Sequence, residues 1–306
     1  MAITKEQRAA AIDVLENGPR MMKKISEIPE KYRYLKEKCE EKQVLDMPPT
    51  GGWPFRLYLF KAKSRTSSCP VFINVHGGGF YTGHLENDDY YSMLIADSIR
   101  GIVVDVDYTT TQEDAPFPTA LEQCCAAVRC TSAHCLEWGG DPRRISMGGY
   151  SAGASLTIGT ELKMQESGGS GLCLNVLAYP QLDGMTPTKY KTDGLAEGIP
   201  LVREEAYSTL YSNNDDDVKM NPYFSPIFAS DRQLKKMPRT MILSAGKCKF
   251  RYENEQLARR LIRLGVRVDV RRFTRSRHGF MPHFMDEYES ATDFMIWAIR
   301  GSSSPR

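Results

Sequence analysis

Gly149-Tyr150-Ser151-Ala152-Gly153 fits G-x-S-x-G, a turn that carries the chain sharply from a strand into a helix and leaves a serine hydroxyl exposed at its apex. The flanking positions of so tight a turn tolerate only minimal side chains. Three fixed residues in five arise often by chance, so the surroundings carry the weight. Ile145-Ser146-Met147 reads as a short strand running in, and Ala154-Ser155-Leu156-Thr157-Ile158 as a helix running out. His76-Gly77-Gly78-Gly79-Phe80 lies 75 residues before the serine and His278-Gly279-Phe280 begins 127 after it.

Working outward from the serine, the pattern is alternating strand and helix. Val71-Phe72-Ile73-Asn74-Val75 is an apolar strand ending at the glycine run, and Gly101-Ile102-Val103-Val104-Asp105-Val106 is another. Helices are predicted over 87–99 and about 117–137. Further strands are predicted at Leu172 to Tyr179, Met241 to Gly246 and Val266 to Val270. Strands separated by helices imply a mostly parallel sheet covered on both faces. Ligands of such sheets bind at the carboxyl ends of the strands, and the glycine run, the serine and the segments after 246 and 273 all fall at that edge.

Two regions break the rhythm. Residues 4–44 carry many charges, with apolar residues at helical spacing (Ala11, Val14, Leu15; Met21, Met22, Ile25), and predict one or two amphipathic helices. Residues 184–222 scatter Gly, Pro, Asp and Asn around a short helix at 203–211. An insert there sits above the active edge, so about 1–45 and 184–222 together are expected to form a cap on a single domain spanning 1–306. Met21, Met22, Met185, Tyr207, Tyr211 and Phe224 are candidates to line an apolar pocket beneath it.

Composition sets the limits. With 41% hydrophobic and 25% charged residues in 306, the chain holds enough apolar material for a sizeable core. A net charge of +2 gives no reason to expect nucleic acid as a partner; a small molecule is expected instead. No run approaches the length of a membrane span, and the polar start Met1-Ala2-Ile3-Thr4-Lys5 has no apolar signal core. The protein therefore reads as cytoplasmic. The eight cysteines show no disulfide framework and no zinc spacing, so they read as reduced thiols acting as small buried hydrophobes. The oligomeric state is not readable, and a homodimer stays open.

The chemistry centres on Ser151. A serine hydroxyl is a weak nucleophile and needs an adjacent base and a stabilised oxyanion. Gly77 and Gly78, with the amide of Ala152, offer unobstructed N–H groups for that oxyanion. His76 is expected to pin the glycine loop. No Gly-Lys-Ser/Thr or G-x-G-x-x-G follows, so the loop does not read as a phosphate cradle. His278 is the candidate base, preferred to His283 because Gly279 frees its loop to turn. Eight arginines between 259 and 277 alternate with valines and read chiefly as a solvated face.

These segments, with Tyr179-Pro180, Ser225-Pro226 and Ser244-Ala245-Gly246, resemble the hormone-sensitive-lipase type of α/β-hydrolase over about 50–298. The resemblance implies an α/β-hydrolase fold with an eight-stranded sheet, a cap from the N-terminus and a mid-chain insert, no cofactor or metal, and cleavage of small carboxylic esters through an acyl-serine. It also exposes two departures. Tyr150 stands where the family usually has Asp or Glu. More seriously, the catalytic aspartate is expected two residues after Ala-Gly, and Ala245-Gly246-Lys247-Cys248-Lys249-Phe250-Arg251-Tyr252-Glu253 puts Cys248 there.

Three readings of that loss follow. The acid has moved, to Asp183 past the strand ending at Tyr179, or to Glu253. Alternatively, a Ser-His dyad runs slow hydrolysis of an activated ester, lactone or thioester, with a Cys248 thiol or thiolate as partner. Or the fold serves a cyclase, lyase or isomerase of natural-product biosynthesis with His278 as general base. A non-catalytic binding protein is expected to have lost the serine or histidine, and both are present.

Overall fold

The computed structural model describes residues 3–18, 28–191 and 199–303. Its eight strands are β1 (Gln43–Thr50), β2 (Trp53–Lys61), β3 (Cys69–Val75), β4 (Ile102–Asp107), β5 (Gly140–Tyr150), β6 (Leu174–Ala178), β7 (Arg239–Ala245) and β8 (Val268–Phe273). They form one sheet in the order β1-β2-β4-β3-β5-β6-β7-β8. β1 and β2 are antiparallel to their neighbours, and every pair from β4 to β8 is parallel. The helices are α1 (Lys5–Asn17), α2 (Leu35–Lys38), α3 (Glu86–Ile99), α4 (Thr119–His134), α5 (Ala152–Met164), α6 (Leu201–Tyr211), α7 (Asp216–Met220), α8 (Asp231–Leu234), α9 (Arg251–Arg263) and α10 (Tyr288–Arg300).

A parallel sheet covered on both faces needs strands that are apolar on both, and β3 is buried at all seven of its positions. Successive residues go to opposite layers. Phe72 packs with Tyr91, Ile95, Met295 and Ile299 of α3 and α10. Val71 and Ile73 pack with Leu121, Val128 and Leu156 of α4 and α5. A third cluster joins Ile158 and Leu162 to Leu257 and Leu261 of α9. Each fully buried side chain of this kind contributes roughly 1.5–3 kcal/mol relative to exposure.

The sequence reading is corrected at the N-terminal side. α1 is the sole long helix described before the sheet; α2 is one turn, and β1 already begins at Gln43. Met21, Met22 and Ile25 lie outside the described residues. β1 and β2 were not anticipated, although β2 alternates buried Phe55, Leu57 and Leu59 with exposed Arg56 and half-buried Tyr58. The last strand starts two residues later than predicted. All eight cysteines are free, and seven are buried. Among the described residues no helix is long and apolar enough to cross a membrane.

Above the carboxyl edge α1 packs on α6, with Ala11 and Leu15 against Ala206 and Leu210. Ile3 N–H donates to the Asn213 carbonyl at 3.0 Å, and Arg203 Nη1 donates to the Val14 carbonyl at 3.0 Å. This helix pair roofs the space into which the loops after β3, β5, β7 and β8 project.

Candidate active site

Ser151 joins β5 to α5 with φ 54° and ψ −120°, a conformation that L side chains rarely adopt and that persists only when surrounding structure imposes it. The crowding is local. A Cβ on Gly149 would lie 2.4 Å from the Val75 carbonyl oxygen, and one on Gly153 would lie 2.0 Å from the same atom. The turn is held by Ser151 N–H donating to the Ala178 carbonyl at 2.9 Å.

The glycine loop lies against this turn. A Cβ on Gly77 would stand 2.9 Å from the Tyr150 carbonyl oxygen and 3.5 Å from Ser151 Cβ, so only glycine brings the loop backbone this close. His76 is not near the serine's hydrogen-bonding chain. Its ring stacks on Tyr108 at 4.2 Å, Nδ1 is 2.7 Å from the Gly77 carbonyl, and Tyr108 Oη donates to the His76 carbonyl at 3.2 Å.

His278 follows β8 and is 4% exposed. Nε2 is 2.7 Å from Ser151 Oγ, and Nδ1 is 3.1 Å from Cys248 Sγ. The ring sits edge-on to Tyr179 and Phe250. Burial, then the Lys249 and His283 charges, pull its pKa down to about 3. Burial likewise pushes the Cys248 thiol far above its ordinary range, with only partial relief from the Phe250 amide, which points at Sγ from 3.4 Å. Of the two alternatives, thiol or thiolate, burial favours the neutral thiol. The adjacent Lys249 is committed to Glu204 Oε1 at 2.8 Å and the Ile199 carbonyl at 2.6 Å.

Neither proposed relocated acid reaches the histidine. Asp183 Oδ1 accepts from the amides of Met185 and Thr186 at 2.9 Å each, closing a turn of its own loop. Glu253 accepts from the Leu182 amide at 3.0 Å and pairs with Lys191. The group beside Nδ1 is sulfur.

A cavity of about 440 Å³ opens on Ser151 and His278. Gly77 and Gly78 form its floor, Leu15, Arg203 and Tyr207 its roof, and Asp88 and His283 part of its wall. Among the described members of the anticipated apolar set, Tyr207 alone lines it. Tyr211 and Phe224 stack instead around Phe80, and Met185 is exposed.

A sequence profile described as the alpha/beta hydrolase fold matches residues 72–282. The chain belongs to the α/β-hydrolase family. It is 30% identical over 266 residues to a carboxylic ester hydrolase, LipN, of Mycobacterium tuberculosis, covering 84% of this chain and 69% of that one. Its structure superposes on carboxyl esterase 2 of the fungus Tuber melanosporum with a TM-score of 0.81 at 25% identity, over 98% of this chain and 99% of the other. Brefeldin A esterase, a bacterial homologue of human hormone-sensitive lipase, superposes with a TM-score of 0.82 at 21% identity, over 98% and 86%. The family expected from the motifs is the one found. Within this α/β-hydrolase the sequence did not single out Asp88 or Glu204, nor the pairing of Glu204 with Lys249. Lys249 and Glu204 come from distant segments with no local pattern, and Asp88 resembles any carboxylate in a helix's first turn.

Proposed function

We propose that this α/β-hydrolase cleaves small carboxylic esters through an acyl-Ser151 intermediate, slowly, with His278 as base and a neutral thiol in place of the acid. The observation that carries the reading is the 2.7 Å contact of His278 Nε2 with Ser151 Oγ beside unobstructed loop amides; the esterase names of its relatives agree. Ser151 Oγ attacks the ester carbonyl as its proton passes to Nε2. The negative oxygen is received by the amides of Gly77, Gly78 and Ala152. The proton then goes to the departing alcohol, and water repeats the sequence on the acyl group.

Cys248 sets the rate. For Nε2 to accept the serine proton, Nδ1 must carry its own hydrogen and point it at an acceptor. Sulfur is a weak acceptor, and a neutral thiol leaves the imidazolium uncompensated. In the serine-protease case the wrong partner at this position lowers turnover by about 10⁴, or roughly 5–6 kcal/mol of barrier. Activated acyl donors such as aryl esters, lactones or thioesters are therefore the substrates of choice.

A second reading has a specific observation behind it. A neutral partner on Nδ1 suits a reaction in which no serine alkoxide forms, so His278 acts alone as general base in a cyclisation, elimination or isomerisation. Labelling with a fluorophosphonate separates the two: the hydrolase reading expects adduct on Ser151 and about a hundredfold fall in ester cleavage in Ser151→Ala. An unlabelled serine at every pH from 6 to 9 sinks it.

A further inference from the structure

Asp88 stands in the wall of the Ser151 cavity on the first turn of α3 and is only 7% exposed. Oδ2 accepts from the Leu85 amide at 2.8 Å, the familiar use of a carboxylate near a helix start. That bond needs one oxygen and no charge; an amide carbonyl would serve it. Among the described residues no hydrogen bond reaches the other oxygen, and the residue lines the cavity.

The groups behind Asp88 do not neutralise it. His84 lies 3.6 Å from Asp105 Oδ2 and 3.7 Å from Asp89 Oδ1, and Asp105 is further held by Asn74 and Ser92. Asp89 has Lys42 at 2.7 Å. Among the described residues, the largely covered His84 is the cation of this cluster that faces Asp88, and it is shared with Asp105 and Asp89. Burial pushes the Asp88 carboxyl up to about 7; His84 works against that shift, while Asp105 and Asp89 add to it. Tyr108, Tyr150 and Tyr179, from the strand ends around it, are uncharged at this pH. Near neutrality the group carries its proton much of the time, which makes it a hydrogen-bond donor into the cavity as well as an acceptor.

We propose that Asp88 is a substrate-reading residue: its carboxyl hydrogen-bonds a second oxygen of the ester, a ketone or hydroxyl away from the scissile carbonyl, and so selects oxygenated esters over plain alkyl ones. The proposal rests on the hydrolase reading of Ser151. Thr82, Gln112 and His283 on the same cavity give the wall the polarity that such a substrate requires, and a site built to hydrogen-bond an oxygen discriminates strongly against analogues lacking it.

The test uses two matched pairs: p-nitrophenyl levulinate against p-nitrophenyl valerate, and 4-oxocyclohexyl acetate against cyclohexyl acetate. In the full-length enzyme the oxo member of at least one pair is expected to have about a tenfold or greater advantage in kcat/KM. That advantage should shrink as pH rises through 7. Asp88→Asn, which keeps the Leu85 bond and still donates through its amide, retains the preference but loses its pH dependence. Asp88→Ala erases the preference, the oxo member of each pair falling to the level of its plain counterpart; thermal melts of both variants check folding. Equal treatment of both members by the native enzyme overturns the proposal, as does an equal loss on both in Asp88→Ala. Calorimetric titration of the same four compounds into Ser151→Ala decides the matter if no ester turns over. Absent turnover with a retained oxo preference defeats only the hydrolase reading, whereas equal affinities defeat the role of Asp88.

Discussion

The two nitrogens of His278 face regions of unlike quality. On the Nε2 side everything is fixed by backbone: a strained serine, glycines whose missing side chains let two loops touch, and a 2.7 Å contact to Oγ. On the Nδ1 side, geometry survives but charge does not. Sγ is 3.1 Å away and the Phe250 amide aims at it, the arrangement a carboxylate would use, yet the occupant is a neutral thiol. The difference teaches that positioning and electrostatic support of a catalytic base are separable. On the proposed reading of His278 as base, this chain keeps the first and lacks the second.

Restoring the charge is the strongest way to break that contrast. Cys248→Asp places a carboxylate beside Nδ1 and the Phe250 amide, and kcat for an aryl ester is expected to rise by about 10³–10⁴; steady-state hydrolysis measures it. An unchanged rate means the chain does not work through an acyl-serine. Next in size is the brace behind the thiol. Glu204→Gln leaves Lys249 buried without its partner, at 7% side-chain exposure, and should destabilise by about 3–5 kcal/mol, read from denaturant midpoints. Ser151→Ala should lower aryl-ester turnover by only about 10²-fold, because triad members act as a unit and the acid's share is already missing. In the Cys248→Asp background the same change should cost far more. The smallest effect is in pH. A base held down to about 3 stays unprotonated through mild acid, so kcat/KM should show no acid limb near 6.5. In Cys248→Asp the carboxylate favours the imidazolium and brings a limb back upward into the measured range; rate profiles from pH 4 to 8 compare the two.

What was legible in the sequence follows the same division. Backbone sterics leave a mark that one sequence can show, because Gly149, Gly153 and Gly77 sit where any Cβ collides. The place of Cys248 was legible through its neighbours Arg251 and Glu253, which hold the register. Its protonation state was not, since that depends on burial by residues from several segments. Asp183 failed for a similar reason: a carboxylate in a loop has local amides to satisfy it, and the Met185 and Thr186 amides claim it. β2 was legible and overlooked, its alternation lying between two segments that read as helix and core. Glu204 and Lys249 could not be paired by pattern, for they meet only because α6 folds over the loop after β7.

Tyr207 of the roof rests on Gly79, where a Cβ would fall 2.5 Å from the ring. The roof is therefore seated on the same glycine loop that is proposed to receive the oxyanion. Any side chain at 79 would have to displace that ring, so the contact keys the position of α6 to a single residue of the glycine loop.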